Sequence, residues 1–257
     1  MTNPDPFAFR SRLLAGELLC GSFMKTPSGH ATEIFGDLGY DFVVIDEEHA
    51  PFDRGTIDQA LVSARAANIV GLVRVSSGTP SNLLSALDTG AMGVLVPHVA
   101  SVERAREVAA ACRYRNGTRG FSNSPRAGRY GGLNLAQHLD HGDRVTTVIA
   151  QIEDPQAIPV VEEIAKVDGI DALFVGRGDL AAAMGESSPE SEPVRAASER
   201  VAKAAKAAGK PVMFFVGSLA DASAMRALGG TGFVWSSDQG LMRQAANKAL
   251  SDLRSLA

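Results

Sequence analysis

The feature that most constrains the fold is an alternation of short apolar runs and amphipathic helical patterns, repeated eight times. The apolar runs occupy residues 19–23, 42–45, 70–75, 93–96, 145–152, 172–175, 212–216 and 232–235. Most are hydrophobic at consecutive positions, as in parallel strands that are buried on both faces. The helical patterns follow at 31–38, 57–67, 81–87, 102–112, 157–165, 194–208, 219–228 and 241–253, and another precedes the first strand at 7–14.

Eight strand–helix units in 257 residues predict a (β/α)8 TIM barrel, folded as a single domain over residues 1–257. A doubly wound sheet is the alternative, but no glycine-rich dinucleotide turn follows the first strand. One connection departs from the pattern. Residues 113–144 are rich in Arg, Gly, Ser and Asn and have no clear period. Such a loop either serves a site, here on a neighbouring subunit, or is a solvated excursion.

The composition is that of an ordinary soluble globule, with 45% hydrophobic and 21% charged residues. A net charge of −4 without any basic run argues against nucleic acid or an anionic membrane as partner. No apolar run approaches a membrane span, and the start MTNPDPFAFR is unlike a signal peptide. Cys20 and Cys112 lack metal-site spacing, so we expect two buried, reduced thiols in a cytoplasmic protein.

Polar residues stand where the predicted strands end. In a (β/α)8 enzyme these carboxyl ends carry the catalytic groups. The candidates, in strand order, are Asp46, Glu47, Glu48 and His49 after the second strand, Arg74 at the third, Pro97 and His98 after the fourth, Gln151 and Glu153 at the fifth, Asp179 after the sixth, and Ser236, Ser237 and Asp238 after the eighth.

Glu153 and Asp179 are one strand–helix unit apart, which places them side by side on one rim of a parallel barrel. Two hard oxygen ligands without a His or Cys beside them suit Mg²⁺ or Mn²⁺. The alternative is that each carboxylate caps the helix that follows it.

A metal with Arg74 opposite suggests a substrate that carries a carboxylate beside a carbonyl. The metal would bind one oxygen of each, and an α-proton would become acidic because the cation and Arg74 hold the enolate oxygen. His49 is then the expected general base. The alternatives are a loop histidine and a rim ion pair of Arg74 with Asp46 or Glu48. Asp88, near the end of a helix, would on its own be an ordinary polar residue.

These motifs, in this order, resemble the HpcH/HpaI aldolases over residues 21–248. The segments that carry the resemblance are IDEEHAP, LVRV, LLSALDTGAMGVLVPHV, TRGFSNSPRAGRYG, QIEDP and VDGIDALFVGRGDLAAAMG. The resemblance implies a class II pyruvate aldolase on a phosphoenolpyruvate/pyruvate-type barrel. Such enzymes are commonly hexamers in which paired subunits exchange the final helix.

The resemblance also implies roles for individual residues. Glu153 and Asp179 would bind a divalent metal (Mg²⁺, Mn²⁺ or Co²⁺), and Arg74 would clamp pyruvate. His49 would be the base, supported by Asp88. Gln151 and Asp46 would hold waters and substrate oxygens.

The segment Gly-Arg-Gly-Asp-Leu-Ala departs from the family, which usually has Gly-Pro-Ser/Ala-Asp-Leu-Ser. A second departure is Glu47, where a small residue is usual. Arg177 and Gly178 would therefore lie at the substrate, and we hypothesise that Arg177 receives a carboxylate of the acceptor. The alternative is an outward Arg177 paired with Glu186 or another surface acid.

The sequence thus predicts reversible cleavage of 4-hydroxy-2-oxo acids to pyruvate and an aldehyde. A citrate-synthase-like or acyl-CoA-using condensing enzyme on the same barrel is the close alternative. A binding barrel that has lost its chemistry is a more distant one, against which Glu153, Asp179, Arg74 and His49 argue.

Overall fold

The eight predicted strands form a closed parallel barrel in chain order, so the predicted TIM-barrel fold is confirmed. The computed structural model describes residues 4–256. The strands are β1 (Leu19–Met24), β2 (Phe42–Asp46), β3 (Val70–Arg74), β4 (Gly93–Val96), β5 (Thr147–Ile152), β6 (Ala172–Val175), β7 (Val212–Val216) and β8 (Gly230–Ser237). The predicted domain span of 1–257 also includes residues 1–3 and 257, which lie outside the described part.

Helices connect the strands and cover the barrel. They are α1 (Phe9–Leu14), α2 (Gly29–Asp37), α3 (Arg54–Ala66), α4 (Pro80–Thr89), α5 (Val102–Ala111), α6 (Leu135–Val145), α7 (Val161–Ala165), α8 (Arg177–Met184), α9 (Glu192–Ala207), α10 (Leu219–Ala227) and α11 (Asp238–Arg254). Short 3-10 turns occupy Pro6–Ala8, Arg126–Gly131 and Pro155–Val160.

Alternate residues of each strand point to opposite sides of the barrel wall. In β2, Phe42 and Val44 belong to the apolar cluster inside the barrel, whereas Val43 and Ile45 pack against the helices. Phe9 of α1 closes the N-terminal end, with its ring centroid 5.4 Å from that of Phe42. Both sides of the wall are therefore apolar, which explains why the strands read as continuous hydrophobic runs.

The segment 113–144 is more regular than its sequence suggested, because it contains α6. Asn134 and Gln137 form a capping box at the start of this helix, a signal that the sequence analysis passed over. The segment lies at the N-terminal end of the barrel, where Arg126 pairs with Asp58 at 2.7 Å. Whether its other face serves a neighbouring subunit stays a prediction.

The expectation of two buried thiols is wrong for Cys20, which is exposed, and holds for Cys112. Cys20 points outward from β1. The last helix, α11, has no buried residue and leaves that side of the barrel open. Among residues 4–256 no helix is long and apolar enough to cross a membrane.

Candidate active site

The site lies at the C-terminal mouth of the barrel, where the inward-facing positions change from apolar to charged. Phe42 and Val44 are followed by Asp46 on β2, and Val70 and Leu72 by Arg74 on β3. In β1 the inward-facing positions continue from Phe23 to Lys25, and in β5 they continue from Ile149 through Gln151 to Glu153. One rule, that every second residue faces inward, thus collects the polar groups of several strands.

Asp46 and Arg74 form a buried ion pair at the mouth. They are register partners on neighbouring strands. Arg74 donates from Nε to Asp46 Oδ1 at 2.9 Å and from Nη2 to Oδ2 at 2.8 Å. Lys25 Nζ lies 2.8 Å from the same Oδ2, and the His49 backbone N–H donates to Oδ1 at 3.2 Å. Burial alone would raise the pKa of Asp46, but Arg74 and then Lys25 lower that pKa to about 2.

The predicted direct contact of Asp46 with substrate is therefore not supported. Its side chain is fully buried and both of its oxygens are engaged. Asp46 instead orients Arg74. The two hydrogen bonds to Asp46 use Nε and Nη2 of Arg74, and a guanidinium has five N–H donors, so it can also donate to a bound anion.

Glu153 is buried at the end of β5 and does not cap a helix. Its Oε1 accepts a 2.7 Å hydrogen bond from the backbone N–H of His98, and Gln151 Nε2 donates to its Oε2. Burial, together with the charge of Asp179, raises the pKa of Glu153 to about 7, against the lowering effect of these hydrogen bonds and of His98. Gly176 makes room for this carboxylate, because a Cβ there would lie 2.6 Å from Glu153 Cβ.

Asp179 stands in the first turn of α8, close enough to affect both Glu153 and Glu48. The pKa of Glu48 is raised by burial, and Asp46 and Asp179 add to this while Arg74 opposes it. Glu48 Oε2 is buried with no hydrogen-bond partner among the described residues. Carboxylates held together in this way repel one another unless a cation lies between them.

Glu48 and His98 lie beside Glu153, one member of the predicted metal pair. Ligand atoms of Glu48, His98 and Glu153 all lie within 4.8 Å of one another. Asp179 is not in this group, although its charge acts on two of the members. Neither Glu48 nor His98 was predicted to bind the metal. Their positions, just after β2 and just after β4, are the sequence feature that could have indicated them.

His98 is placed by an unusual backbone. Its φ is +55°, in the left-handed region that a non-glycine residue rarely adopts. Its Nδ1 lies 3.2 Å from Asp154 and its Nε2 lies 3.8 Å from Glu48. Partial burial would lower the pKa of His98, but the charges of Glu153, Asp154 and Glu48 together raise it.

His49 is accessible at the mouth, with 53% of its side chain exposed and Nε2 3.7 Å from Glu48 Oε2. Asp88 does not support it within the chain. Because α4 starts at the C-terminal rim, its last turn, with Asp88, lies at the opposite end of the barrel. There Asp88 accepts a 3.1 Å hydrogen bond from Arg119. A contact between Asp88 and His49 would require two subunits.

Arg177 is not free to bind an acceptor. Its Nη1 and Nη2 donate to Asp221 of α10 at 2.8 and 2.6 Å, and Nη2 also donates to the Phe215 carbonyl at 2.8 Å. The residue is 8% exposed. The hypothesis that Arg177 receives a substrate carboxylate is therefore not supported. The alternative, a pair with Glu186 or another surface acid, agrees in that Arg177 pairs with an acid, but the partner is Asp221 and the arginine is buried. Arg177 ties α8 to α10.

The first turn of α8 remains a polar feature of the mouth. Gly176 precedes the helix without a side-chain cap, so backbone N–H groups of residues 177–179 point out of the helix end. Gly178 has no atom within 4 Å of where a Cβ would stand, so its surroundings are open. An anion placed here would meet backbone donors and the positive end of the helix.

The floor of the mouth is aromatic. The Phe23 ring centroid lies 6.4 Å from that of Phe174 and 6.2 Å from that of Phe215, which is 42% exposed. Two cavities of about 700 and 570 Å³ lie elsewhere, at the N-terminal end, and none of the polar mouth residues lines them. The chemistry of the side chains, and not enclosed volume, identifies the site.

Known proteins are similar to this chain over nearly its whole length. A model of the HpcH/HpaI aldolase/citrate lyase family matches residues 20–245. The 5-keto-4-deoxy-D-glucarate aldolase of Enterobacter sp. (strain 638) is 34% identical over 245 residues, which are 95% of each chain. A family protein from Burkholderia cenocepacia J2315, described as HpcH/HpaI aldolase/citrate lyase, has a solved structure that is 31% identical with a TM-score of 0.91, covering 96% of this chain and 99% of that one. The solved citrate synthase SbnG is 26% identical with a TM-score of 0.88, covering 97% and 98%.

Proposed function

The chain belongs to the HpcH/HpaI aldolase/citrate lyase family, and we propose that it cleaves 4-hydroxy-2-oxo acids to pyruvate and an aldehyde and catalyses the reverse addition. Its curated relatives are aldolases, and the chain is accordingly a carbon–carbon lyase. The observation that carries the proposal is the crowding of Glu153, Asp179 and Glu48 on the rim that also holds Arg74.

The residues fit a divalent metal. Glu153 and Asp179 would hold it, with Glu48 and His98 beside it. The buried Oε2 of Glu48 has no hydrogen-bond partner among the described residues, although Arg74 Nε lies 3.4 Å from it, and burial raises the pKa of Glu153. A divalent cation would stabilise both carboxylates in their charged form. When bound, the metal supplies a Lewis acid for the 2-oxo group.

Arg74 binds and orients the oxo acid. Asp46 fixes two of its nitrogens, Nε and Nη2, and the remaining donors of the guanidinium would bind the acid. The backbone N–H groups at the start of α8 offer a second place for the carboxylate of the same acid. The Oε1 of Gln151, buried without a partner among the described residues, is an acceptor for a hydroxyl or a water.

His49 moves the protons. In cleavage it takes the proton of the 4-hydroxyl while the C3–C4 bond breaks, and the bonding electrons move toward C2 to leave the enolate of pyruvate. Protonation at C3 then gives the methyl group. In the reverse direction His49 removes a methyl proton. Its exposed ring and its fixed backbone suit this exchange with a ligand in the mouth.

The test is aldol synthesis with pyruvate and a panel of aldehydes, with and without chelator. EDTA should abolish activity, and added Mg²⁺, Mn²⁺ or Co²⁺ should restore it. Borohydride with pyruvate should trap no lysine adduct by mass spectrometry, including at Lys25, the lysine that faces the mouth. Full turnover in chelator, or such an adduct, would mean a Schiff-base mechanism.

A second candidate is a condensing enzyme like citrate synthase, favoured by the likeness to SbnG. One assay distinguishes the two activities. Oxaloacetate with acetyl-CoA would release free thiol if the chain is a citrate synthase, and no thiol if it is only an aldolase. Glu153 and Asp179 would serve either reaction, so the metal requirement does not distinguish them.

We also expect a homo-oligomer, as a hexamer with an exchanged final helix. α11 supports this, because none of its residues is buried within the chain. Its apolar residues Met242, Leu250 and Leu253 are 64%, 46% and 67% exposed. A second copy of the chain would cover them.

A further inference from the structure

Lys25 is a cation at the mouth to which the aldol reaction assigns no role. It follows β1 on the inward-facing register of Phe23, so its side chain rises from the barrel interior. In a closed barrel of eight strands in chain order, β1 stands across the mouth from β5. The strand before Lys25 therefore stands across the mouth from the strand before Glu153, and the Lys25 ammonium reaches inward to Asp46, 2.8 Å away.

The backbone of Lys25 is fixed by the start of α11. Its N–H donates to Asp238 Oδ1 at 2.8 Å, and the N–H of Thr26 donates to Oδ2 at 3.0 Å. Gln239 Nε2 donates to the Lys25 carbonyl at 3.2 Å. A lysine anchored in this way presents its ammonium from a defined place on the rim, which lowers the entropy lost when a ligand binds.

The pair with Asp46 does not use all the N–H donors of the Lys25 ammonium. Its ion pair is with Asp46, which the guanidinium of Arg74 already holds through two hydrogen bonds. Asp46 is fully buried, whereas 27% of the Lys25 side chain is exposed. An ammonium has three donors, so the pair with Asp46 leaves donors for a ligand.

Three aromatic rings, Phe23, Phe174 and Phe215, line the mouth beside Lys25, whose Nζ lies 5.9 Å from the Phe23 ring. The guanidinium of Arg74 lies over the same ring, 4.6 Å from its centroid. An aldehyde that reacts near Glu153 and extends across this floor brings its other end to Lys25. A neutral end would find only the ammonium, whereas a carboxylate would form a charge-assisted hydrogen bond.

We propose that Lys25 binds the terminal carboxylate of an acidic aldehyde acceptor, which is the distal carboxylate of a diacid substrate in the cleavage direction. This rests on the proposed aldolase function. It gives to Lys25 the role that the sequence suggested for Arg177, whose donors are occupied by Asp221 and a carbonyl.

The experiment compares Lys25→Met with wild type on two matched acceptor pairs, succinic semialdehyde against butanal and glyoxylate against glycolaldehyde. Wild type should prefer the acidic member. Lys25→Met should lower the acidic-to-neutral ratio of kcat/KM about 10- to 100-fold for the preferred acid, mainly through KM, the loss expected for one charged hydrogen bond. Lys25→Arg keeps the charge and should retain most of the preference. The exposed Lys248→Met, in α11, is the control.

Exchange of pyruvate methyl protons with D₂O, measured without acceptor, separates this proposal from the proposed function. If Lys25→Met lowers exchange and both acceptor classes equally, Lys25 acts through Asp46 and Arg74, and the acceptor role is overturned. An unchanged ratio overturns it as well. If wild type exchanges no protons with any divalent metal present, the aldolase function itself fails. Circular dichroism and thermal melting of the Met and Arg variants exclude misfolding as the cause.

Discussion

Breaking the pair between Arg177 and Asp221 should destabilise the protein without changing acceptor preference. The Arg177 and Asp221 side chains are only 9% and 18% exposed. Asp221→Asn leaves the guanidinium charge uncompensated, although the Phe215 carbonyl still accepts from it. Removing one member of a buried pair costs about 3–5 kcal/mol, and the partial exposure of Asp221 reduces this to about 2–4 kcal/mol. For a chain of this size that corresponds to a Tm lower by about 4–16 °C.

The measurement is equilibrium urea unfolding of Asp221→Asn, Arg177→Met and the double variant at one protein concentration, since association shifts apparent stability. The double variant should be less destabilised than the sum of the single ones, because neither charge is left alone. Acidic and neutral acceptors should lose activity equally. Losses below about 0.5 kcal/mol, or a selective loss of acidic acceptors, would refute the buried pair and return Arg177 to the substrate.

Three further outcomes are expected. His49→Ala should slow methyl-proton exchange by about 10²–10⁴ with little change in metal affinity, since His49 is not a proposed ligand; exchange at the wild-type rate would place the base elsewhere. Because the pKa of Asp46 is lowered to about 2, its charged form should stabilise the fold by about 2–3 kcal/mol above about pH 4, and this stabilisation should be lost as the pH falls toward 2. The stability of Asp46→Asn, measured by unfolding at a series of pH values, should not show this loss. Leu250→Glu and Leu253→Glu in α11 should reduce the size of the assembly in light scattering, whereas an unchanged mass would exclude α11 from the interface.

The sequence predicted the barrel well because its evidence is local and repeated. Each strand is a short apolar run between helical patterns, and all eight were found. The same regularity placed Asp46, Arg74 and Glu153 at the mouth, because the inward-facing register continues past each strand. The missed helix α6 buries His138 and Gly142 and no large apolar side chain, and the capping box of Asn134 and Gln137 marks its start.

The sequence does not show which distant side chains contact one another in the folded chain. Arg177 lies 44 residues before Asp221, and nothing local connects them. His49 and Asp88 cannot contact each other within one chain, because they lie at opposite ends of the barrel. Asp88 is in the last turn of α4, a helix that starts at the C-terminal rim and runs to the N-terminal end. His98 and Glu48 meet across strands β2 and β4, a meeting that depends on the left-handed backbone of His98.

We propose that Glu153 and Asp179 hold a divalent metal that the reaction requires. The most direct measurement is Mn²⁺ binding by electron paramagnetic resonance, together with pyruvate methyl-proton exchange, in wild type, Glu153→Gln, Asp179→Asn and the exposed control Glu103→Gln. The account predicts that the first two variants lose both Mn²⁺ affinity and exchange while remaining folded, and that the control keeps both. Exchange that persists in Glu153→Gln or Asp179→Asn, or tight Mn²⁺ binding without either carboxylate, would contradict it.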